Sequence, residues 1–463
     1  MAHFDAIIIG AGMSGLAAGI RAAYYEKKVC ILERHYTIGG LNSFYRLRKR
    51  DYDVGLHAVT NYTPKGTKHG PLARLLRQLR FRWDEFDLAQ QNYSAVQFPD
   101  KQLKFSNDLE LLRSEVSREF PSQIDNFERL LTELVDYDDL APEHFNTDTR
   151  EWLSEIISDP QLVEMILCPV MWYGNAREHD MDLGQFCIMF RSLFLEGFAR
   201  PFEGVRLILR KLVKKFRELG GELKLRHGVS QIEVENGTAT GVVLDDGTQL
   251  TADAILSSAG AVETMQLCGQ EESTVAKTVG QMSFIESVAS LNCEPKDLGH
   301  DATIIFFNDS DTFHWERPHD GLCDIRTGVI CSPNNYQYAP SHGPLPDGVM
   351  RITAIADYDQ WNALSDSEYQ SAKIEWQQRA IDSAVRFVPD YQPQIIDTDM
   401  FTPTTIRKFT WHDNGAVYGA TKKWFSGQSS VKNLYLCGTD QGYVGIIGSI
   451  VSGIMIANQY VLQ

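Results

Sequence analysis

The strongest pattern of hydrophobic positions lies in residues 1–33. Four apolar side chains in a row, residues 6–9, predict a buried strand, and the alanine-rich residues 16–23 predict a helix. Residues 28–32 predict a second strand, which leads into the acidic residue Glu33. The order of strand, glycine-rich turn, helix and strand is typical of an α/β protein.

From about residue 66 the pattern becomes that of a mixed α+β domain. Residues 66–202 contain three segments with helical spacing and one strand pair: 72–79, 108–119 and 121–135, and 92–98 with 102–105. Residues 269–403 predict three further strands and one long helix: 283–293, 303–307 and 350–356, and 368–387. Both parts are predicted to form a substrate domain inserted into the first domain.

Residues 159–202 are the most apolar part of this insertion. Ordinary helical core is one interpretation, and the wall of an apolar tunnel or a surface that dips into a membrane is the other. Methionine and aromatic side chains would suit a long, flexible, apolar ligand. In the membrane interpretation, Arg177, Arg191 and Arg200 would lie at the level of the lipid headgroups.

Residues 203–260 and the last sixty residues return to the pattern of the N-terminal segment. A helix is predicted at 205–219, and the turn Asp245-Asp246-Gly247 is a strong hairpin signal. Four strands are predicted around it: 222–225, 229–234, 241–244 and 249–256. Near the C-terminus a strand leads into Gly438-Thr439-Asp440, and the apolar residues 446–462 predict a buried helix.

Composition limits the class of partner. The chain has 463 residues, 43% of them hydrophobic, which is enough for two joined domains with a large core. With 44 Lys and Arg against 61 Asp and Glu, the net charge is −17. This charge excludes nucleic acid as a partner and attachment to anionic lipid by charge alone, whereas apolar insertion into a membrane stays open.

Cysteine and histidine usage predicts neither disulfides nor a metal site. None of the eight cysteines forms a C-x-x-C pair, and the twelve histidines show no ligand spacing. The first strand starts almost at once, without a signal peptide, and no run of about eighteen apolar residues follows. We therefore expect a cytoplasmic protein, with peripheral contact to a membrane as an open alternative.

The turn after the first strand carries the first candidate chemistry. Its sequence, residues 10–15, has the spacing G-x-G-x-x-G. Gly10 allows a sharp turn, Gly12 leaves space for a pyrophosphate, and Gly15 lets the helix pack close to the strand. N–H groups at the helix start would face a phosphate, and Glu33 could accept hydrogen bonds from both ribose hydroxyls. The sequence thus predicts a dinucleotide site, against the alternative of a plain tight turn.

The residues that follow favour a flavin over a nicotinamide dinucleotide. A nicotinamide-binding Rossmann domain would normally continue with another helix, but here Gly39-Gly40-Leu41-Asn42-Ser43 leads to the run Asp53-Val54-Gly55-Leu56-His57. This Gly-Gly turn and D-x-G-x-H run resemble the start of the FAD-binding domain in the flavin amine oxidase and phytoene desaturase superfamily. The resemblance implies FAD held along its whole length, with the second glycine pair close to the flavin.

The C-terminal motifs narrow this resemblance. T-P-x-T at residues 402–405, G-A-V-Y-G at 415–419 and N-L-Y-L-x-G at 433–438 look like those of the phytoene desaturase, carotenoid isomerase and retinol saturase group. The implied fold class is α/β, a Rossmann-like FAD-binding domain with an inserted α+β substrate domain. The predicted FAD-binding domain is discontinuous, residues 1–65, 203–268 and 404–463, and the substrate domain comprises residues 66–202 and 269–403.

Motifs and resemblance together assign a set of residues to FAD. The backbone at Val229 would meet the adenine, and the C-terminal helix start would lie under the flavin, where it stabilises negative charge. The predicted cofactor residues are Gly10, Gly12, Ser14, Gly15, Glu33, Arg34, Gly39, Gly40, Leu41, Asn42, His57, Val229, Gly438, Asp440, Gly445, Ile447 and Gly448.

The resemblance implies an FAD-dependent oxidoreductase that acts on a hydrophobic polyisoprenoid. A carotenoid-type desaturase is favoured, in which flavin N5 accepts a hydride while a neighbouring proton is lost. A quinone or other electron acceptor would then be a partner. Departures at Leu41 and in residues 443–447 leave the reaction type open. The alternatives are a reduced-flavin isomerase or retinol-type saturase, a non-catalytic isoprenoid-binding flavoprotein, and an amine oxidase.

Two residues are candidate catalytic groups. His57 would approach the flavin if the D-x-G-x-H run follows the family, and its alternative role is a structural histidine that bonds the backbone. Glu196, like Asp180, is an acid beside the apolar segment and could act on a proton, with simple solvation as the alternative.

Overall fold

Strands and helices are assigned in a computed structural model that describes residues 2–137, 147–269 and 278–463. The strands are β1 (Ala2–Ile9), β2 (Val29–Glu33), β3 (Phe44–Leu47), β4 (Arg50–Asp53), β5 (Leu88–Gln90), β6 (Ser94–Gln97), β7 (Gln102–Phe105), β8 (Ala199–Pro201), β9 (Glu222–Leu225), β10 (Val229–Glu235), β11 (Thr238–Leu244), β12 (Gln249–Ser257), β13 (Ser283–Leu291), β14 (Ile304–Asn308), β15 (Cys323–Cys331), β16 (Gly348–Ala356), β17 (Ile395–Phe401) and β18 (Leu434–Leu436).

The α-helices follow the same order along the chain. They are α1 (Met13–Ala23), α2 (Gly70–Leu79), α3 (Leu109–Glu119), α4 (Ile124–Asp136), α5 (Thr149–Ile156), α6 (Pro160–Gly174), α7 (Leu183–Phe190), α8 (Val205–Glu218), α9 (Ala261–Leu267), α10 (Tyr358–Asn362), α11 (Asp366–Ala384), α12 (Pro403–Thr410) and α13 (Gly445–Tyr460). The predicted helix at 121–135 begins later than expected, because Pro121 opens a 3₁₀ turn before α4.

The first strand lies at the centre of a seven-stranded sheet. β1 pairs in parallel with β2 and β12, so that Ile8 lies opposite both Ile31 and Leu256. The order is β10-β11-β12-β1-β2-β9, and β18 pairs in parallel with the C-terminal half of β12. Apolar clusters cover both faces, which explains why residues 6–9 of β1 and 29–32 of β2 are continuous apolar runs. The predicted elements of residues 6–33 are confirmed.

Helices α1 and α13 pack on each other over one face of this sheet. A Cβ at Gly453 would collide with the carbonyl oxygen of Ser14, so glycine permits this close approach. The buried C-terminal helix predicted from residues 446–462 is confirmed as α13. Within the described ranges, no helix combines the length and apolar character that crossing a membrane requires.

A second seven-stranded sheet has the order β17-β13-β16-β15-β14-β6-β7. Neighbouring strands are antiparallel except β14 and β6, which are parallel. One face packs against α11 and the other against α6 and α7, so all nine residues of β13 are buried. Two short sheets, β3 with β4 and β5 with β8, flank the large ones. The predicted strand pair β6–β7 is confirmed, whereas β15 and β17 were not predicted.

The apolar segment 159–202 forms interior helices. The rings of Phe186, Phe190 and Phe194 are at most 4% exposed and belong to the core between α6, α7 and the second sheet. These side chains therefore do not form a surface that dips into a membrane. Arg200 is also buried and pairs with Asp53, which corrects its predicted place at lipid headgroup level.

Candidate functional site

A cleft of about 1200 Å³ opens at the C-terminal edge of the first sheet. Ligands of α/β proteins bind at this edge, because loops and helix starts meet there. Its floor is the turn between β1 and α1, and its walls come from the ends of β2, β12 and β18 and from residues 408–412. Twelve predicted cofactor residues line the cleft: Gly10, Gly12, Ser14, Glu33, Arg34, Gly39, Gly40, Leu41, Asn42, Val229, Gly438 and Asp440.

The backbone of the β1–α1 turn fits a pyrophosphate. Gly10 has φ +94°, a conformation that favours glycine. A Cβ at Gly12 would have no atom within 4 Å, so a side chain there would only occupy space that a ligand needs. No side chain of the described chain caps the start of α1, and its first turn has no acid. The N–H groups of that turn are therefore suited to an anion.

Glu33 is held at the tip of β2 by the backbone. One carboxylate oxygen accepts a hydrogen bond from the N–H of Ala11 (2.8 Å), and the other accepts from the N–H of His35 (2.9 Å). Each carboxylate oxygen can accept a further hydrogen bond. The carboxylate is thus oriented towards the cleft and can receive the hydroxyl groups of a ribose.

Arg34 and Trp411 build the outer wall of the cleft. The guanidinium of Arg34 donates to the carbonyl of Val229 (2.5 Å) and lies 4.3 Å from the centre of the Trp411 ring. Arg407 lies 4.7 Å from the same ring. Arg34 therefore binds protein groups here, and it fixes the start of β10 against the C-terminal segment.

The carboxylate of Asp440 is also engaged by the protein. Its two oxygens accept hydrogen bonds from the N–H groups of Ala420 (2.7 Å) and Ala261 (2.6 Å). Lys423 lies 3.7 Å away and is 10% exposed, whereas Asp440, Ala261 and Ala420 are buried. Asp440 thus ties α9 and residues 419–420 to the end of β18 and shapes the cleft through the backbone.

A second cavity of about 1010 Å³, called the inner cavity below, joins the cleft at four residues: Leu41, Asn42, Thr439 and Ser449. Aromatic rings from four separate segments line it: Trp172, Tyr173, Phe284, Phe401 and Tyr418. The start of α13, Gly445 and Ile446, lies at its rim. The inner cavity therefore offers a largely apolar surface next to the cleft.

One polar cluster interrupts this apolar wall. His57 Nε2 lies 3.0 Å from Glu286 Oε1, Arg351 Nε donates to the same oxygen (2.6 Å), and Thr353 Oγ1 donates to Glu286 Oε2 (2.5 Å). Glu286 and Thr353 are directly opposite in the pairing of β13 with β16. Arg351 lies two residues earlier on β16 and so points to the same face. Strand register thus assembles the cluster.

Two buried arginines hold the loop that carries His57. Arg351 donates to the carbonyls of Val54 and Leu56, both at 2.7 Å, and Arg200 donates to Leu56 at 2.8 Å. The hydroxyl of Tyr336 donates to the carbonyl of His57 (2.8 Å). The backbone of residues 54–57 is therefore fixed by three side-chain donors.

Burial and the neighbouring charges determine the protonation states of Glu286 and His57. Although burial raises the pKa of Glu286, Arg351 and His57 outweigh it and lower that pKa to about 2. Burial lowers the pKa of His57, and the neighbouring Glu286 does not offset this. Burial also raises the pKa values of Tyr173 and Tyr418. At neutral pH the cluster therefore contains an ionised Glu286 and a neutral His57.

Several predicted residues lie outside the cleft. His57 and Gly445 line the inner cavity. Gly15 packs α1 against the turn, Ile447 is fully buried in the core, and Gly448 approaches the backbone of Tyr443.

The acids Glu196 and Asp180 line neither space. Glu196 accepts a hydrogen bond from Asn61 (2.6 Å), and burial raises its pKa. Asp180 accepts from the N–H groups of Met181 (2.7 Å) and Arg150 (3.2 Å). Both acids thus have structural partners away from the candidate site.

Sequence reasoning named His57 but missed the rest of the polar cluster and most of the aromatic wall. Glu286 and Arg351 are single charged residues within the otherwise uncharged strands β13 and β16, and this was the signal that could have identified them. A lone charge in a buried strand requires a partner. Trp172 and Tyr173 belong to the apolar segment for which a tunnel wall was one interpretation.

The sequence of this chain is similar to those of known proteins. The family model described as flavin containing amine oxidoreductase matches residues 13–460. Chloroplastic prolycopene isomerase of Daucus carota is 24% identical over 502 residues, covering 99% of this chain and 80% of that protein. Phytoene desaturase (neurosporene-forming) of Rhodobacter capsulatus is 25% identical over 289 residues, covering 56% of this chain and 53% of that protein.

Solved structures share the fold. An oxidoreductase from Methanosarcina mazei superposes with a TM-score of 0.69 at 17% identity, covering 98% of this chain and 100% of that one. At this identity the likeness concerns the fold alone. It confirms the α/β fold class predicted from the sequence.

Proposed function

The chain belongs to the family of flavin-containing amine oxidoreductases, and from this premise we propose that its substrate is a hydrophobic polyene of isoprenoid type. The family assignment makes FAD its cofactor and makes the chain an FAD-dependent enzyme. The proposal concerns which molecule occupies the inner cavity and which reaction it undergoes.

The observation that carries the proposal is the aromatic wall of the inner cavity beside the cleft. Flat rings and aliphatic side chains such as Val417, Ile406 and Val444 surround a space with one ionic cluster. A conjugated hydrocarbon gains contact area against these rings and aliphatic side chains. A polar substrate would have to give up its hydration against these rings.

The residues of the cleft would hold the cofactor in a defined order. Gly12 and the α1 N-terminus would receive the pyrophosphate, Glu33 the ribose, and residues 39–42 with the α13 start the flavin ring. Bound FAD supplies a two-electron acceptor that can take up a hydride at N5. The rings of the inner cavity would orient the polyene against this end of the cleft and exclude water.

Desaturation is the reaction we propose, with a quinone or another electron acceptor as the second partner. Isomerisation without net oxidation is the second candidate. It is supported by the relative from Daucus carota, which is named for that reaction and is matched along nearly the whole chain. The named desaturase is matched over 56% of the chain.

Amine oxidation is disfavoured by the charge of the inner cavity. Glu286 is the one carboxylate that lines it in the described chain, and Arg351 and His57 already surround this group. A substrate ammonium would therefore lack a free anionic partner. The product assay described next also tests a non-catalytic isoprenoid-binding role.

The test is a product assay with purified protein and added FAD. Liposomes carrying acyclic polyenes are supplied with and without a quinone or a flavin reductant, and product mass and absorbance are read together. Loss of two hydrogens with a longer chromophore is expected. Unchanged mass with a shifted spectrum would instead establish isomerisation, and a gain of two hydrogens saturation.

Two controls separate the alternatives. The Gly12→Ala variant should stay folded but bind FAD poorly, so product formation should fall with flavin content. A polyene that binds and is never converted would make the protein a binding protein. Bleaching of the flavin by an amine, with no product from any polyene, would overturn the proposal.

A further inference from the structure

We propose that Nδ1 of His57 is the atom that takes up or returns a proton in the inner cavity, and that Glu286 and Arg351 are positioning residues for it. The inference rests on the proposed function, since it assigns the proton of the same reaction. It follows from the hydrogen bonds around the imidazole ring.

Glu286 determines which ring nitrogen carries the proton. His57 Nε2 lies 3.0 Å from Glu286 Oε1, and a carboxylate can only accept a hydrogen bond. Thr353 lies 3.2 Å from the same nitrogen but gives its proton to Glu286 Oε2 at 2.5 Å. The network therefore assigns the proton to Nε2 and leaves the lone pair on Nδ1.

The lone pair of Nδ1 is available to a ligand. The His57 side chain lines the inner cavity and is 15% exposed, and Nδ1 has no hydrogen-bond partner among the described residues. Nor is it one of the fully buried unpartnered atoms in the described ranges. A neutral imidazole with this tautomer can accept a proton at a single accessible atom.

Arg351 keeps Glu286 ionised and in place beside the His57 ring. Its guanidinium lies 2.6 Å from Glu286 Oε1, and the same side chain donates to the carbonyls of Val54 and Leu56 at 2.7 Å. One side chain thus balances the carboxylate charge and fixes the backbone beside His57. This double contact is why we regard Arg351 and Glu286 as one positioning unit.

Other groups near the ring stay neutral or are already paired. Burial raises the pKa of Tyr336, whose hydroxyl donates to the carbonyl of His57. Burial raises the pKa of the Cys331 thiol, 3.9 Å from that carbonyl, to about 12. Arg200 is paired with Asp53. Glu286 is therefore the group that compensates a positive charge on His57.

The proton transfer balances with the proposed desaturation. One C–H bond of the substrate breaks and its proton forms an N–H bond at Nδ1, while the electron pair forms the new double bond. The hydrogen on the neighbouring carbon would leave with its electron pair, and bound FAD would supply the two-electron acceptor for it. In isomerisation or saturation the same N–H would return a proton to carbon.

The first test does not depend on turnover. Holoprotein labelled with ¹⁵N-histidine is examined by NMR, and assignment by comparison with His57→Gln identifies the signals of this ring. A neutral ring protonated on Nε2 is expected in the wild type, with the signals of Nδ1 moving when a polyene is added. A ring protonated on Nδ1 would overturn the proposal even if the enzyme is active.

The second test uses variants with a matched control. His57→Gln should lower turnover about 100-fold or more while polyene affinity changes little, because it removes the proton acceptor and keeps the shape. Glu286→Gln should lower turnover about tenfold or more and increase the share of the ring that is protonated on Nδ1, a change of tautomer that a general loss of stability would not produce. His319→Gln, at a side chain that is 83% exposed and does not line the cavity, should match the wild type.

The proposed function and the role of His57 are rejected by different results. Failure of the wild type to convert any polyene would reject the proposed function, whatever the tautomer. An active wild type with an equally active His57→Gln would reject the present inference alone. If Glu286→Gln does not fold, the wild-type tautomer and the His57→Gln rate still decide the matter.

Discussion

The cofactor cleft and the inner cavity meet at Leu41 and Asn42, yet they are built from different parts of the chain. The cleft is formed largely by backbone, with Gly10, Gly12 and the uncapped α1 start at its floor. The inner cavity is formed mainly by aromatic and aliphatic side chains, with one ionic cluster among them.

This difference determines what each region tolerates. In the cleft the limiting quantity is space, because a ligand must approach the backbone closely. Around the inner cavity it is charge balance, because Asp53, Arg200, Glu286 and Arg351 are all buried. A substitution that adds a methyl group should therefore harm the first region, and one that removes a charge should harm the second.

The largest loss of stability is expected from Asp53→Asn. Its carboxylate pairs with Arg200 and accepts from the N–H of Val205 (3.2 Å), so the variant leaves a buried guanidinium without its anion. We expect the free energy of unfolding to fall by about 3 kcal/mol or more, measured by urea denaturation.

A neighbouring ion pair provides the control for this prediction. Asp51 lies 3.0 Å from Arg206, but the Asp51 side chain is 46% exposed. Asp51→Asn should cost less than about 1 kcal/mol. Similar losses in both variants would mean that burial of charge does not distinguish the inner cavity from the surface.

Two glycines of the cleft test the role of space. A Cβ at Gly15 would collide with the carbonyl oxygen of Gly10, whereas a Cβ at Gly12 would meet nothing within 4 Å. Gly15→Ala should therefore lower stability by about 1–3 kcal/mol, seen by thermal unfolding. Gly12→Ala should keep its stability without ligand and lose bound flavin, seen as the ratio of flavin to protein absorbance.

Each glycine variant has an outcome that would contradict the expected role of space. Full flavin content in Gly12→Ala would show that the pyrophosphate does not approach this backbone, and it would contradict the assignment of the cleft. An unchanged melting temperature in Gly15→Ala would contradict the close packing of α1 on the turn.

The difference between the cleft and the inner cavity also explains which parts of the site could be predicted from the sequence. The β1–α1–β2 unit was predictable because its hydrophobic period, glycines and acidic tip are contiguous in residues 6–33. Local structure fixes most of the cleft, so residues such as Gly12 and Glu33 could be proposed without knowing the fold. That the Ile447 side chain is buried in the core could not be predicted, because a motif does not reveal which face of a helix start is buried, and its contact with FAD stays a prediction.

The inner cavity could not be predicted in the same way. Its aromatic wall joins residues as distant as Trp172 and Tyr418, and its ionic cluster depends on the register of β13 with β16. Strand β17 was missed because it is an edge strand whose sequence, I-I-D-T-D-M-F, is only partly apolar. Long-range pairing of this kind leaves a weak local signal.

The smallest effect is expected from Glu196→Gln, which tests an acid that belongs to neither region. The glutamine can keep the hydrogen bond from Asn61, so turnover should stay within about twofold of wild type.

The same variant also tests the pKa of Glu196. Because burial raises this pKa above its usual 4.5, the protonated form of Glu196 stabilises the fold at low pH, and this contribution is lost as pH rises through the raised pKa. The variant's stability relative to wild type should therefore increase from pH 4 to pH 8, measured by thermal unfolding at each pH. A drop in turnover of more than about tenfold would place Glu196 in the chemistry after all and would remove His57 as the sole candidate for the proton.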